Sequence, residues 1–244
     1  MTIGRFATHR DQPFFWWGSR PPPDPQPTVA DLIARGLLTD WQSAGLIDLI
    51  SRGLSAFVVS EASGAGKSSL LAALIAEAPA SGDHVYLRGN YETFDFLADD
   101  PVKKPVLLVN EISPHLPAYL WGRPVTTLFA AMQRGYQALG TAHAGSAAAF
   151  LHLLTSSPLR VPMPMAAQPM LVVVLGPRRR ERPGDSALLE VSGIRPGRDS
   201  ATALLETIFS KDGSPRFDAD AARRLMLAAG LPADRLWTGL EADH

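Results

Sequence analysis

Ser63-Gly64-Ala65-Gly66-Lys67-Ser68-Ser69 lies between an apolar run ending at Ser60 and another beginning at Leu70. Small residues let the main chain curl around an anion with its N–H groups turned inward, and a helix starting beside Gly66 adds its positive dipole end. In this pattern Lys67 would reach the terminal phosphates of a nucleotide and Ser68 would ligate Mg²⁺, with Ser63, Gly64, Ala65, Gly66 and Ser69 lining the turn. ATP with Mg²⁺ is the expected ligand. The usual spacing has a glycine five residues before Gly66; Glu61 stands there and brings a Cβ and a negative charge to the edge of the pocket.

Hydrolysis of a bound triphosphate requires an acidic group at the C-terminal end of a neighbouring apolar strand. Val106-Leu107-Leu108-Val109-Asn110-Glu111 supplies one, and Glu111 is the first ionisable residue after the run. Asn110 could assist it through a hydrogen bond. Gly140-Thr141-Ala142-His143-Ala144 follows a further strand pattern and should emerge at the same sheet edge, where ligands of open α/β sheets bind. His143 can hydrogen-bond a phosphate in either protonation state. Glu111 and His143 are thus the expected catalytic pair. His9, His84, His115, His152 and His244 show no metal-ligand spacing and receive no role.

The elements that must position these groups alternate in type. Strands are expected at Ala56–Ser60, His84–Leu87, Pro105–Asn110, Ala138–Thr141 and Met170–Leu175, the last paired with Ala187–Val191 as a hairpin. Helices are expected from Val29 behind an N-cap at Thr28, at Asp40–Arg52, Ser68–Glu77, Thr126–Arg134 and Ser146–Leu154, and in a C-terminal tail at Ala201–Phe209 and Ala219–Ala229. Such alternation predicts an α/β fold, a mostly parallel sheet with helices on both faces. Upstream, Phe14-Phe15-Trp16-Trp17 and the proline-rich stretch 20–27 read as an aromatic arm and an extended linker. The arm either packs on its own domain or anchors a neighbouring subunit.

The 244 residues suffice for one large α/β domain. A formal charge of −1 gives no sign of a nucleic-acid or acidic-membrane coat, and no apolar run approaches the ~20 residues of a membrane span. The N-terminus lacks the apolar core of a secretory signal, so a cytoplasmic location is expected. With no cysteine, thiol catalysis and disulfides are excluded. Lysines occur only at 67, 103, 104 and 211 in a chain rich in arginine, which makes Lys67 conspicuous.

Residues 28 to 193 resemble the secretion and pilus-assembly ATPases of the type II/type IV secretion superfamily, specifically the group serving tight-adherence pili and type IV secretion. Thr28 to Thr39 looks like that family's helix before the nucleotide site, Val58 to Ser69 its Walker A strand and loop, Val106 to Ile112 its Walker B strand, and Gly135 to Ser146 its histidine box. The hairpin joined through Arg178, Arg179 and Arg180 is similar to its following strand pair. The resemblance implies a RecA-like P-loop domain over 28–197, preceded by the arm at 1–27 and followed by a small helical tail at 198–244. It further implies ATP hydrolysis by a motor subunit within a homo-oligomer or a hetero-assembly of secretion or pilus components. Glu61 and Ala62 stand where that family has two glycines, Gly89-Asn90 where it has a Glu-Asp pair, Ser113 and Leu153 where it has arginines, and only about 30 residues precede Thr28, too few for that family's N-terminal domain. These departures imply slow or partner-dependent turnover, or a non-hydrolysing scaffold.

Overall fold

The computed structural model describes Gln12, Trp16 and residues 26–78, 83–99, 101–177, 187–199, 201–211 and 217–236. Among these, seven strands form one sheet in the order β2-β3-β4-β1-β5-β6-β7. They are β1 (Ala56–Val59), β2 (His84–Tyr86), β3 (Val106–Ile112), β4 (Ala138–Ala142), β5 (Met170–Leu175), β6 (Leu188–Pro196) and β7 (Ala203–Ser210). Strands β2, β3, β4, β1 and β5 run parallel, and β6 and β7 continue antiparallel beyond β5. The expected strand β1 thus lies centrally, and the hairpin of β5 with β6 forms as anticipated.

The α-helices of the described residues are α1 (Val29–Ala34), α2 (Asp40–Ser51), α3 (Lys67–Glu77), α4 (Arg123–Gln133), α5 (Ala147–Thr155), α6 (Met163–Ala166) and α7 (Ala219–Ala228). Thr28 and Thr39 close α1 and α2 with reciprocal capping boxes to Asp31 and Gln42, and Ser146 and Asp218 cap α5 and α7. Successive strand residues face opposite ways, so the sheet feeds two cores. Val58, Leu108, Leu139, Leu171 and Val173 pack with α1, α2, α3 and α7 on one face. Phe57, Val59, Leu107, Val109 and Val172 pack with α4, α5 and α6 on the other, where Phe57 stacks against Phe129 at 5.9 Å and meets Phe150 at 5.1 Å.

Two expectations are corrected. The helix expected at Ala201–Phe209 is the edge strand β7. Ala201, Leu204, Leu205 and Ile208 have helical spacing, but β6 has a free edge for β7 to pair with, and Phe209 is buried against Trp41 and Phe217. Leu204 and Leu205, which a helix would bury, are 39% and 42% exposed. Glu206 instead accepts hydrogen bonds from Arg195 at 2.7 and 3.0 Å and from Arg224 at 3.0 Å, tying β7 to β6 and α7. The second correction is that β3 does not neighbour β1; β4 lies between them.

Of the aromatic arm, Trp16 is buried in the core of its own chain, edge-on to Tyr86 at 5.1 Å, so this side chain packs on its own domain. Phe14, Phe15, Trp17, most of the proline-rich stretch, Arg178, Arg179, Arg180, His9 and His244 lie outside the described residues. Among the described residues no helix is long and apolar enough to cross a membrane.

Candidate nucleotide site

Strand β1 leaves the sheet at Val59, and Ser60 fixes the first bend by accepting the N–H of Ala62 at 3.1 Å. The turn then passes through Gly64 at φ +74° and Gly66 at φ +107°, both in the left-handed region that glycine tolerates. A Cβ on Gly66 would also come within 2.8 Å of Leu37, which the α1–α2 connection places beneath the turn. Gly66 is the N-cap of α3 and supplies no side-chain acceptor, so the first N–H groups of this helix are left without the cap that α1, α2, α5 and α7 each have.

Ser63, Gly64 and Ser68 are exposed, Gly66 and Ser69 are half-buried, and Ala65 is buried as the foot of the turn. Lys67 is buried at 8% exposure and has no hydrogen bond to any described residue. Burial holds its ammonium below the ordinary lysine pKa of 10.5, and the negative charge of Glu111 pulls the other way. The interaction puts Lys67 and Glu111 in one electrostatic environment although their strands are not adjacent.

A β-bulge brings Glu111 there. Val109 pairs with Gly140 and Ile112 with Ala142, so Asn110 and Glu111 together oppose Thr141. Thr141 Oγ donates to the Asn110 carbonyl at 2.6 Å and clamps the bulge. The side-chain amide nitrogen of Asn110 is buried without a partner. Just beyond β4, Nε2 of His143 stands 3.2 Å from Oε1 of Glu111. The expected pair is therefore together, at the same sheet edge as the glycine turn.

His115, to which the sequence assigns no role, belongs to this cluster. Its ring lies 5.8 Å from that of His143, edge to face, and its Nδ1 is 2.9 Å from Ser113 Oγ. No periodic signal marks it, because the segment after β3 is an irregular loop; the spacing Glu111-x-x-x-His115 is the one clue present. Glu92 acts elsewhere. Its carboxylate accepts the N–H groups of Arg88 and Phe94, each at 2.9 Å, and organises the loop after β2.

Glu61 lies at the seam between the glycine turn and the loop after β4, where a Cβ on Gly145 would fall 2.5 Å from its Oε1. Its exposed charge would repel a bound triphosphate. Glu61→Gly is expected to tighten Mg²⁺-ATP binding about 3-fold, the scale of one screened charge near the surface. A calorimetric titration checks this, and an unchanged or weaker affinity would show that the carboxylate points away from the ligand.

No family model matches the chain, and no curated protein matches it. Among solved structures it is similar to the VirB11 ATPase from the type IV secretion system of Brucella suis, determined in complex with sulphate, with 16% identity, covering 63% of this chain and 57% of that one at a TM-score of 0.40. It is also similar to the ATPase DotB of Yersinia pseudotuberculosis, with 14% identity, covering 72% of this chain and 50% of that one at a TM-score of 0.44. The chain spans about half the length of these two proteins.

Proposed function

We propose that this chain binds Mg²⁺-ATP in the 63–69 turn and hydrolyses it as a cytoplasmic, secretion-ATPase-like motor subunit for protein secretion or pilus assembly. The observation that carries the proposal is Lys67: a buried residue whose ammonium makes no hydrogen bond among the described residues, at the uncapped start of a helix and behind two left-handed glycines. A partly desolvated ammonium beside free helix N–H groups is a ready partner for an anion. The residues fit a nucleotide and its metal: Ser63, Gly64, Ala65, Gly66 and Ser69 offer backbone donors, Lys67 neutralises phosphate charge, and the exposed hydroxyl of Ser68 is available to Mg²⁺. When bound, Mg²⁺-ATP supplies a phosphoanhydride bond already polarised by the metal.

Glu111 orients the attacking water and takes up its proton, held in place by the bulge and by Thr141. His143, beside Glu111, hydrogen-bonds the terminal phosphate and reports its presence to the surface. Catalysis on this plan is positioning plus charge stabilisation. Glu61, and Ser113 in place of a cationic side chain, predict slow turnover by the isolated chain and completion of the site within a homo-oligomer or with secretion or pilus components.

Phosphate release by the purified protein tests the catalytic half of the proposal. Glu111→Gln is expected to lower the rate at least about 100-fold while leaving nucleotide affinity within a few-fold. A second reading, a nucleotide-binding scaffold without turnover, is favoured by the Glu61 carboxylate at the turn. It gains the ground if the wild-type protein releases no phosphate above the Lys67→Ala background, alone or with candidate partners.

A further inference from the structure

We propose that Glu111, His115 and His143 form a binding site for a divalent transition-metal ion of the Zn²⁺ type, separate from the Mg²⁺ that would accompany a nucleotide at Ser68 and excluding, while it is occupied, the water-activating and phosphate-contacting roles of Glu111 and His143. One ligand atom from each of the three residues lies within 4.8 Å of the other two. Two ligands held at about 2.0–2.1 Å from a tetrahedral zinc ion stand about 3.3 Å apart, and Nε2 of His143 and Oε1 of Glu111 are already separated by 3.2 Å. These two atoms approach without making a hydrogen bond: Oε1 is buried and accepts none. A nitrogen and an oxygen that close but not aligned with each other are disposed to share a third centre.

His115 supplies the third ligand from the loop after β3. It is exposed, so its ring can close the remaining ångström or so without disturbing the core. Ser113 Oγ, on a buried residue, holds Nδ1 of that ring at 2.9 Å. A hydrogen bond of this kind fixes the orientation and tautomer of an imidazole whose other nitrogen takes a metal. Two imidazoles and one carboxylate select zinc-like ions over Mg²⁺, which prefers an all-oxygen shell. Three protein ligands leave a fourth position for water or an oxyanion.

The 244-residue chain, stripped with a chelator, is titrated with Zn²⁺ by calorimetry and with Co²⁺ by visible absorption, whose d–d bands report tetrahedral coordination. One Zn²⁺ per chain is expected. Because loss of an outer-shell partner costs about 10–100-fold in metal affinity, Ser113→Ala should weaken binding about 10-fold. His115→Ala, which removes a direct ligand, should weaken it at least about 100-fold and erase the Co²⁺ bands. His152→Ala, an exposed histidine on α5, should change nothing.

Lys67→Ala is expected to keep the Zn²⁺ site while losing nucleotide, and His115→Ala to keep nucleotide while losing Zn²⁺. Failure of the nucleotide reading and failure of the metal site therefore give different patterns. No Zn²⁺ binding by the wild-type protein, or equal affinity in His115→Ala, overturns the site.

Discussion

Lys67→Met makes the nucleotide-free protein more stable, by about 1 kcal/mol, equivalent to about 3 °C in Tm for a chain of this size. Methionine keeps the unbranched stem of a residue that is 8% exposed and removes an ammonium that burial disfavours and that makes no hydrogen bond among the described residues. The gain depends on pH in a defined direction. Burial lowers the folded-state pKa below the ordinary 10.5, so between the two values the unfolded chain binds more protons than the folded one. Wild-type stability therefore rises with pH across that window, and the penalty, complete below the folded pKa, vanishes above the unfolded one. The advantage of Lys67→Met should shrink as pH approaches 10.5. Thermal denaturation of both proteins at neutral and alkaline pH checks it; a destabilised Lys67→Met would mean that the ammonium is satisfied at its site.

Gly89→Ala should cost on the order of 3 kcal/mol, combining a left-handed backbone with overpacking. Gly89 has φ +62°, and a Cβ there would lie 2.3 Å from the carbonyl oxygen of Pro117 and 2.4 Å from the carbonyl carbon of Ala118. Both obstacles are main chain and cannot rotate aside. The neighbouring contacts make the close approach part of the design: the Asn90 N–H donates to the Pro117 carbonyl at 2.9 Å, and the Asn90 side chain accepts the Trp121 N–H at 3.0 Å. These bonds hold the loop after β2 against the loop that follows β3 and contains His115. Chemical denaturation measures the loss, and Asn90→Ala, which breaks one bond and adds no clash, should cost only about 1 kcal/mol.

What is legible in the sequence follows from where local signals agree with the tertiary structure. The β1–turn–α3 unit is readable because an apolar strand, paired glycines and Lys67-Ser68 point the same way over a dozen residues. Glu111 is readable as the first charge ending an apolar run, and His143 as the polar residue just past a buried strand. The bulge is not, since two residues opposing Thr141 is a property of the β3–β4 pairing and not of β3 itself. The place of β4 between β1 and β3 is likewise a matter of pairing order. Strand β7 reads as a helix because Ala201, Leu204, Leu205 and Ile208 satisfy a helical period, while the edge of β6 decides the outcome. Gly89-Asn90 resembles a lost acidic pair, and the reason for the glycine is a backbone contact with residues more than two dozen positions away. His115 stands in an irregular loop, where spacing alone carries little information.

The central claim, Mg²⁺-dependent nucleotide binding at the 63–69 turn, is tested most directly by calorimetric titration of ATP into the wild-type protein and Lys67→Met, each with Mg²⁺ and with Mg²⁺ chelated. Saturable binding of one ATP per chain, weakened by chelation and abolished in Lys67→Met, is the predicted result. Absence of binding at millimolar Mg²⁺-ATP, or binding that survives unchanged in Lys67→Met, would contradict it.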